Sequence, residues 1–197
     1  MFLNSERLRL RAPEREHIDG FLRWLNNPEV YRFIQRYRPL GRIEEEELIA
    51  NAHKRPEDVL FAIELKEPGG VGLPIGCCGL HRLNHPNRSA EIGIVIGEKE
   101  YWGRGYGREA MNLLCGYGFQ MLNLNRIGLS VYEYNARAIR CYEHVGFQIE
   151  GRKREGRFWD GRYWEIIEMG LLAREWRERQ GRHEERQEDG APAVCQT

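Results

Sequence analysis

The segment Arg7-Leu8-Arg9-Leu10-Arg11 alternates polar and apolar residues with period 2, the pattern of a half-buried strand that Pro13 ends. From Glu14 the period changes. Ile18, Phe21, Leu22 and Leu25 recur at helical spacing, and Asn26-Asn27-Pro28 closes that helix, because the residue before a proline avoids the helical region. Residues 29–33 predict a further short turn. Residues 43–54 predict a helix whose Glu44, Glu45, Glu46 and Glu47 suit the positive end of its dipole and form a solvated acidic face. Residues 59–65 read as a strand, Pro68-Gly69-Gly70 as a turn, residues 75–80 as the next strand and residues 84–88 as a loop. Residues 90–96 are apolar almost throughout, as a central buried strand requires.

The second half is more regular. Ala110, Met111, Leu114, Cys115, Gly118 and Met121 lie at helical spacing within residues 105–122. A short strand follows at 127–131, then a helix at 135–145 with Gly146 as its stop. Residues 147–154 and 163–172 read as strands, and Asp160-Gly161 is the strongest hairpin-turn signal in the chain. Beyond Ala173 Arg and Glu dominate, and residues 190–197 are small and polar. The expected organisation is one domain over 1–172 and a charged helical extension over 173–197 that frays into disorder. Strands and helices in this order predict a mixed α/β sheet.

Composition narrows the class. A chain of 197 residues fits one domain with a sizeable core, and 41% hydrophobic with 11% aromatic content is too rich for disorder. The 30 Lys and Arg balance 30 Asp and Glu, which argues against a nucleic-acid or membrane-surface protein. The arginines beyond residue 173 are matched by Glu175, Glu178, Glu184, Glu185 and Glu188, as in an ion-paired helix. Arg7, Arg9, Arg11 and Arg15 interrupt any signal-peptide core, and the longest aliphatic run is Ile94-Val95-Ile96. The five cysteines form no C-x-x-C pair, and adjacent Cys77 and Cys78 would face opposite sides of a strand. A cytoplasmic protein with reduced, buried thiols and no metal site is expected.

The stretch that carries chemistry is a buried strand followed by Trp102-Gly103-Arg104-Gly105-Tyr106-Gly107-Arg108 opening a helix. Three alternate glycines remove side chains that would hold a ligand off the backbone. The first N–H groups of the helix have no intrahelical partner and sit at its positive end, so strand, loop and helix start together form a site for phosphate. Arg104 and Arg108 add full charges. The spacing is neither G-x-G-x-x-G nor G-x-x-x-x-G-K-[ST], which disfavours dinucleotide or nucleoside-triphosphate chemistry, and a purely structural turn is the alternative.

These residues resemble the pyrophosphate loop of the GNAT N-acetyltransferases, [Q/R]-x-x-G-x-[G/A], with Gly105 and Gly107 at its glycine positions and Trp102 in place of the leading Gln or Arg. Asn135-Ala136-Arg137-Ala138-Ile139 followed by Cys141-Tyr142-Glu143-His144-Val145-Gly146-Phe147 is similar to the family's N-x-x-A…Y-E-K-x-G-F helix. The opening residues 6–11 with Asn27-Pro28-Glu29-Val30 resemble the Rim-type branch, the ribosomal-protein-alanine acetyltransferases. The resemblance spans residues 5–172. It implies a mostly antiparallel twisted sheet with flanking helices and a splayed central strand pair, and acetyl-CoA as co-substrate with no metal.

It further implies that residues 91–96 are parted by a bulge from residues 127–131, Gly93 fitting the bulge. Backbone groups of Ile94, Val95 and Ile96 would then take the pantetheine arm and the thioester carbonyl. Gly103, Arg104, Gly105, Tyr106, Gly107 and Arg108 would hold the pyrophosphate. Tyr142 matches the tyrosine that protonates the CoA sulfur, although in an amphipathic helix it could serve packing alone. Asn135 matches an asparagine that orients the co-substrate, and as a helix N-cap it needs no such role. Glu91 has the spacing from Arg104 of a strand glutamate that acts as general base in some members; a surface charge or a water chain is the alternative, with His81, His85 and His144 as minor candidates. The acceptor would be a protein or peptide α-amino group, or a small polyamine-like amine attracted by Glu44, Glu45, Glu46 and Glu47. A non-catalytic acyl-CoA-binding module is the reading from another class. No nucleic-acid or membrane partner is expected. Sheet edges near residues 163–172 suggest a homodimer.

Overall fold

A computed structural model describes residues 2–34, 38–67 and 72–188; the Pro68-Gly69-Gly70 turn and the end of the tail lie outside them. The elements are β1 (Phe2–Asn4), β2 (Leu8–Arg11), α1 (Ile18–Leu25), α2 (Pro28–Tyr31), α3 (Arg42–Ala50), β3 (Val59–Lys66), β4 (Gly72–Asn84), β5 (Ser89–Ile96), α4 (Tyr106–Gly116), β6 (Arg126–Tyr132), α5 (Ala136–Val145), β7 (Gln148–Trp159), β8 (Arg162–Leu172) and α6 (Ala173–Glu188). The strands form one sheet in the order β1-β2-β3-β4-β5-β6-β8-β7. Its neighbours are antiparallel except β5 and β6. This is the mixed, mostly antiparallel sheet that the resemblance implies. No helix among the described residues is long and apolar enough to cross a membrane.

Alternation along the strands gives the sheet two buried faces. Leu8, Leu10, Phe61, Ile63, Cys78, Leu80 and Ile92 join Met111 and Leu114 of α4 in the larger core. Ala62 and Cys77, one residue out of phase, meet Phe21 and Trp24 of α1 on the other. Cys77 and Cys78 do lie on opposite sides.

Three features depart from the expectation. β1, only three residues long, pairs with β2 and is too short to show a period. β8 inserts antiparallel between β6 and β7, so the sheet edges are β1 and β7 and residues 163–172 are interior. Finally, β5 stays in unbroken register with β4 from Glu91 to Ile96, so no bulge occurs at Gly93. The two central strands part because each follows a different neighbour. They pair only over Ser89–Glu91 with Arg126–Gly128, after which β5 keeps to β4 while β6 pairs with β8 out to Tyr132.

The α1 side is tied down by polar contacts. His17, fully buried in the 3-10 turn before α1, accepts the Glu14 N–H on Nδ1 at 2.9 Å, so its Nε2 carries the proton and donates to Glu64 Oε1 at 2.9 Å. Glu64 also accepts from Arg9. Further along, Trp24 packs its ring where a Cβ of Gly97 would lie, and its Nε1 donates to Glu98 at 2.9 Å. Gly97→Ala is therefore expected to overpack the end of β5 and cost about 1–3 kcal/mol, read as a fall in chemical-denaturation stability.

Candidate functional site

Where β5 and β6 part, a cavity of about 570 Å³ opens between them. Ile94, Val95 and Ile96 of β5 and Ser130 and Val131 of β6 form its walls, residues 103–108 close one end, and Asn135, Cys141 and Tyr142 come from α5. Val30, Phe33 and Ile34, around the end of α2, supply an apolar rim.

The loop has the backbone its glycines were expected to permit. Gly103 and Gly105 adopt φ of +75° and +85°, a region L side chains rarely enter, and Gly105 is the N-cap of α4. Chain neighbours aside, no atom of the described residues lies within 4 Å of where a Gly103 Cβ would be, so space beside the bare backbone is open to a ligand. The uncapped first turn of α4 presents its N–H groups at the positive end of an eleven-residue helix. Trp102, in the place of the family's Gln or Arg, donates from Nε1 to the Ile96 carbonyl at 2.7 Å. That bond pins the loop to β5, and it occupies a carbonyl that the resemblance had counted among the free backbone groups.

On α5, Asn135 is the N-cap: its side chain accepts from the Ala138 N–H at 3.3 Å while lining the cavity. About two turns along, Tyr142 faces the same space. Its ring packs against Phe147 at a centroid distance of 6.2 Å, and its hydroxyl makes no hydrogen bond to any described residue. Burial, with a smaller contribution from Cys141, raises the phenol above its ordinary value. It is a protonated donor that bonds to none of the described residues. Burial likewise raises the Cys141 thiol, against a partial pull from Arg108.

Glu91 is placed differently. It is the last β5 residue paired with β6, but it does not line the cavity, and Arg82 engages its half-exposed carboxylate at 2.9 Å. None of Glu44, Glu45, Glu46 and Glu47 lines the cavity either; they sit on α3, with Glu45 buried. His144 reaches the cavity wall, its Nδ1 donating to the Arg140 carbonyl at 2.6 Å.

Two features had no local signal in the sequence. Arg7, to which the sequence assigned no place in the site, donates to the Arg104 carbonyl at 3.2 Å and stacks 4.4 Å over the Tyr106 ring. Glu109 of α4 accepts from Arg7 and Ser5, which buckles the chain before β2 to the loop. Arg137 lies 3.9 Å over the Trp102 ring and lines the cavity beside Phe33. Each depends on residues far apart in sequence.

Residues 7–148 match the family described as the acetyltransferase (GNAT) domain. The chain is 33% identical over 178 residues to the uncharacterized N-acetyltransferase p20 of Bacillus licheniformis, spanning 88% of this chain and 97% of that protein. The crystal structure of spermidine N-acetyltransferase from Vibrio cholerae in complex with CoA and spermine aligns with a TM-score of 0.78 at 30% identity, covering 87% of this chain and 99% of that one. The Bacillus subtilis protein YdaF, provisionally named a ribosomal N-acetyltransferase, is 37% identical over 105 residues, 53% of this chain and 57% of that protein.

Proposed function

Since the chain belongs to the GNAT acetyltransferase family and is an N-acetyltransferase, we propose that it moves the acetyl group of acetyl-CoA onto the α-amino group of a protein or peptide, as in the Rim-type branch. The observation that carries this choice is the charge of the cavity. Beyond Arg104 and Arg108 at the pyrophosphate end, its described lining holds Arg137 and Arg140 but no Asp or Glu, and the rim of Val30, Phe33 and Ile34 is apolar. An extended polycation needs several carboxylates along its length, whereas a peptide N-terminus brings one charge and apolar side chains.

The backbone of Gly103, Gly105 and Gly107 with the start of α4 suits the pyrophosphate, and Tyr106, Arg104 and Arg108 complete that end. Ile94, Val95 and Ile96 border the path of the pantetheine arm. Asn135 orients that arm from the opposite wall. Tyr142 gives its proton to the sulfur as the thioester breaks, because a thiol leaves more readily than an unprotonated thiolate in a site where burial disfavours charge.

The test is release of free CoA with unblocked peptides and with spermidine as acceptors. Turnover of peptides carrying a free N-terminus, abolished by N-terminal blocking, is expected. Likeness to the Vibrio cholerae spermidine enzyme supports the second reading, and turnover of spermidine with none of any peptide would overturn the first.

A further inference from the structure

Acetyl transfer leaves one step unassigned. An amine in its ammonium form has no lone pair for attack, so a base must first remove a proton.

A candidate stands where the sheet opens. His81 of β4 pairs directly with Glu91 of β5, and its Nδ1 is 3.4 Å from Asp58 Oδ1. Asp58, just before β3, is itself held by accepting the Arg82 N–H at 3.2 Å. The free ring nitrogen, Nε2, has no hydrogen-bond partner among the described residues, and it lies over two glycines that face each other across the ladder. A Cβ on Gly79 would stand 3.2 Å from Nε2, and one on Gly93 would stand 3.7 Å away. Gly79 is required anyway, since the Val59 carbonyl would meet its Cβ at 2.6 Å, but at Gly93 only His81 is near. Glycine there leaves bare backbone beside the imidazole. Gly93 is also the turning point of the site: Glu91 is the last β5 residue paired with β6, and Ile94 is the first to line the cavity, while His81, like Glu91, stands behind the lining residues and faces the acceptor side across the bare backbone of Gly93.

We propose that His81, positioned by Asp58, is the base that deprotonates the acceptor amine. The proposal rests on the acetyl transfer and holds for either class of acceptor. Neutral Nε2 takes a proton from the ammonium, and the imidazolium forms beside the Asp58 carboxylate. The freed nitrogen attacks the thioester carbonyl, the C–N bond forms and the C–S bond breaks, and the sulfur takes the Tyr142 proton. A second proton leaves the nitrogen as the amide forms and restores Tyr142 through solvent, while His81 releases the first to bulk water. The net products are amide, CoA thiol and one proton.

The charged groups around His81 are Asp58 with exposed Glu57 from the turn before β3, Glu91 from β5 and Arg82 from β4, the last two paired with each other. Cys77, two residues before Gly79 on the same face, is kept neutral, its thiol pushed up to about 12 by burial and by Glu45 of α3.

The experiment measures kcat/KM against pH for the full chain, with whichever of an alanyl peptide or spermidine the wild type turns over, so that loss of the peptide reading leaves the test intact. His81→Gln is expected to lower kcat about 100-fold at neutral pH, with KM for acetyl-CoA within twofold. Its acidic limb should move to the alkaline side, to the titration of the free amine. Asp58→Asn, which keeps the imidazole, should lower kcat about tenfold and leave stabilisation by acetyl-CoA intact. A His81→Gln enzyme within threefold of wild type with the limb in place overturns the proposal, and loss of the limb in Glu91→Gln instead assigns the base to that carboxylate. If His81→Gln fails to fold, shown by no thermal shift with acetyl-CoA, a wild-type profile for Asp58→Asn overturns it equally.

Discussion

Tyr142→Phe is expected to lower kcat by about 100-fold or more while leaving the KM for acetyl-CoA and the melting temperature nearly unchanged. The two roles open to this tyrosine separate cleanly in that variant. Its ring packs on Phe147 and against the main core, and phenylalanine retains all of that contact. Only the hydroxyl is lost, and it bonds to no described residue, so its removal leaves no partner unsatisfied. A side chain used for packing alone would show turnover within about threefold of wild type, and that result would remove Tyr142 from the chemistry. The raised phenol value also sets a sign. The group is protonated throughout the neutral range, so deprotonating Tyr142 cannot cause a fall in rate near neutral pH.

Glu64→Ala is expected to cost about 3–5 kcal/mol of stability, because it strips a buried carboxylate from three cationic or donor partners at once. His17 loses the acceptor of its Nε2–H, and Arg9 loses its ion pair. Arg11, 3.4 Å away, keeps Glu14 and Glu16. The pH dependence follows from the same contacts. Burial alone would raise the Glu64 carboxyl, but the hydrogen bonds from His17 and Arg9 and the charges of Arg9 and Arg11 outweigh it and hold it below its ordinary value. A lowered folded-state value means that the contribution is complete above the unfolded value of about 4.3 and is lost as pH falls through the folded one. The gap in melting temperature between wild type and Glu64→Ala should therefore be widest at neutral pH and narrow below about pH 4. A gap that stays constant on acidification would show that the loss comes from the cavity and not from the charge.

The sequence and the structure meet best where the determinants are local. Gly103 and Gly105 take the positive φ that only glycine adopts without strain, and Gly146 ends α5 at φ +120°. Asn135 caps the helix that its side-chain chemistry predicts. Each of these is decided within one turn of chain, so single residues announce them. The acidic run on α3 shows the limit: its composition suggested a cation site, and only packing places it away from the cavity.

By itself, then, the sequence determined the glycine loop that opens α4, the capped helix carrying Tyr142, the alternating faces of the strands and the family. The tertiary structure alone decided how these meet. β8 slots between β6 and β7, and β6 pairs with it out to Tyr132 after its pairing with β5 has ended at Gly128, so the cavity lies between β5 and β6 without any bulge at Gly93. Arg7 is joined to Glu109, Arg137 to Trp102 and His81 to Asp58 across separations that no periodicity encodes. The reason is physical: backbone conformation answers to neighbours a few residues away, whereas side-chain pairing answers to the register and order of strands, which the whole core sets together.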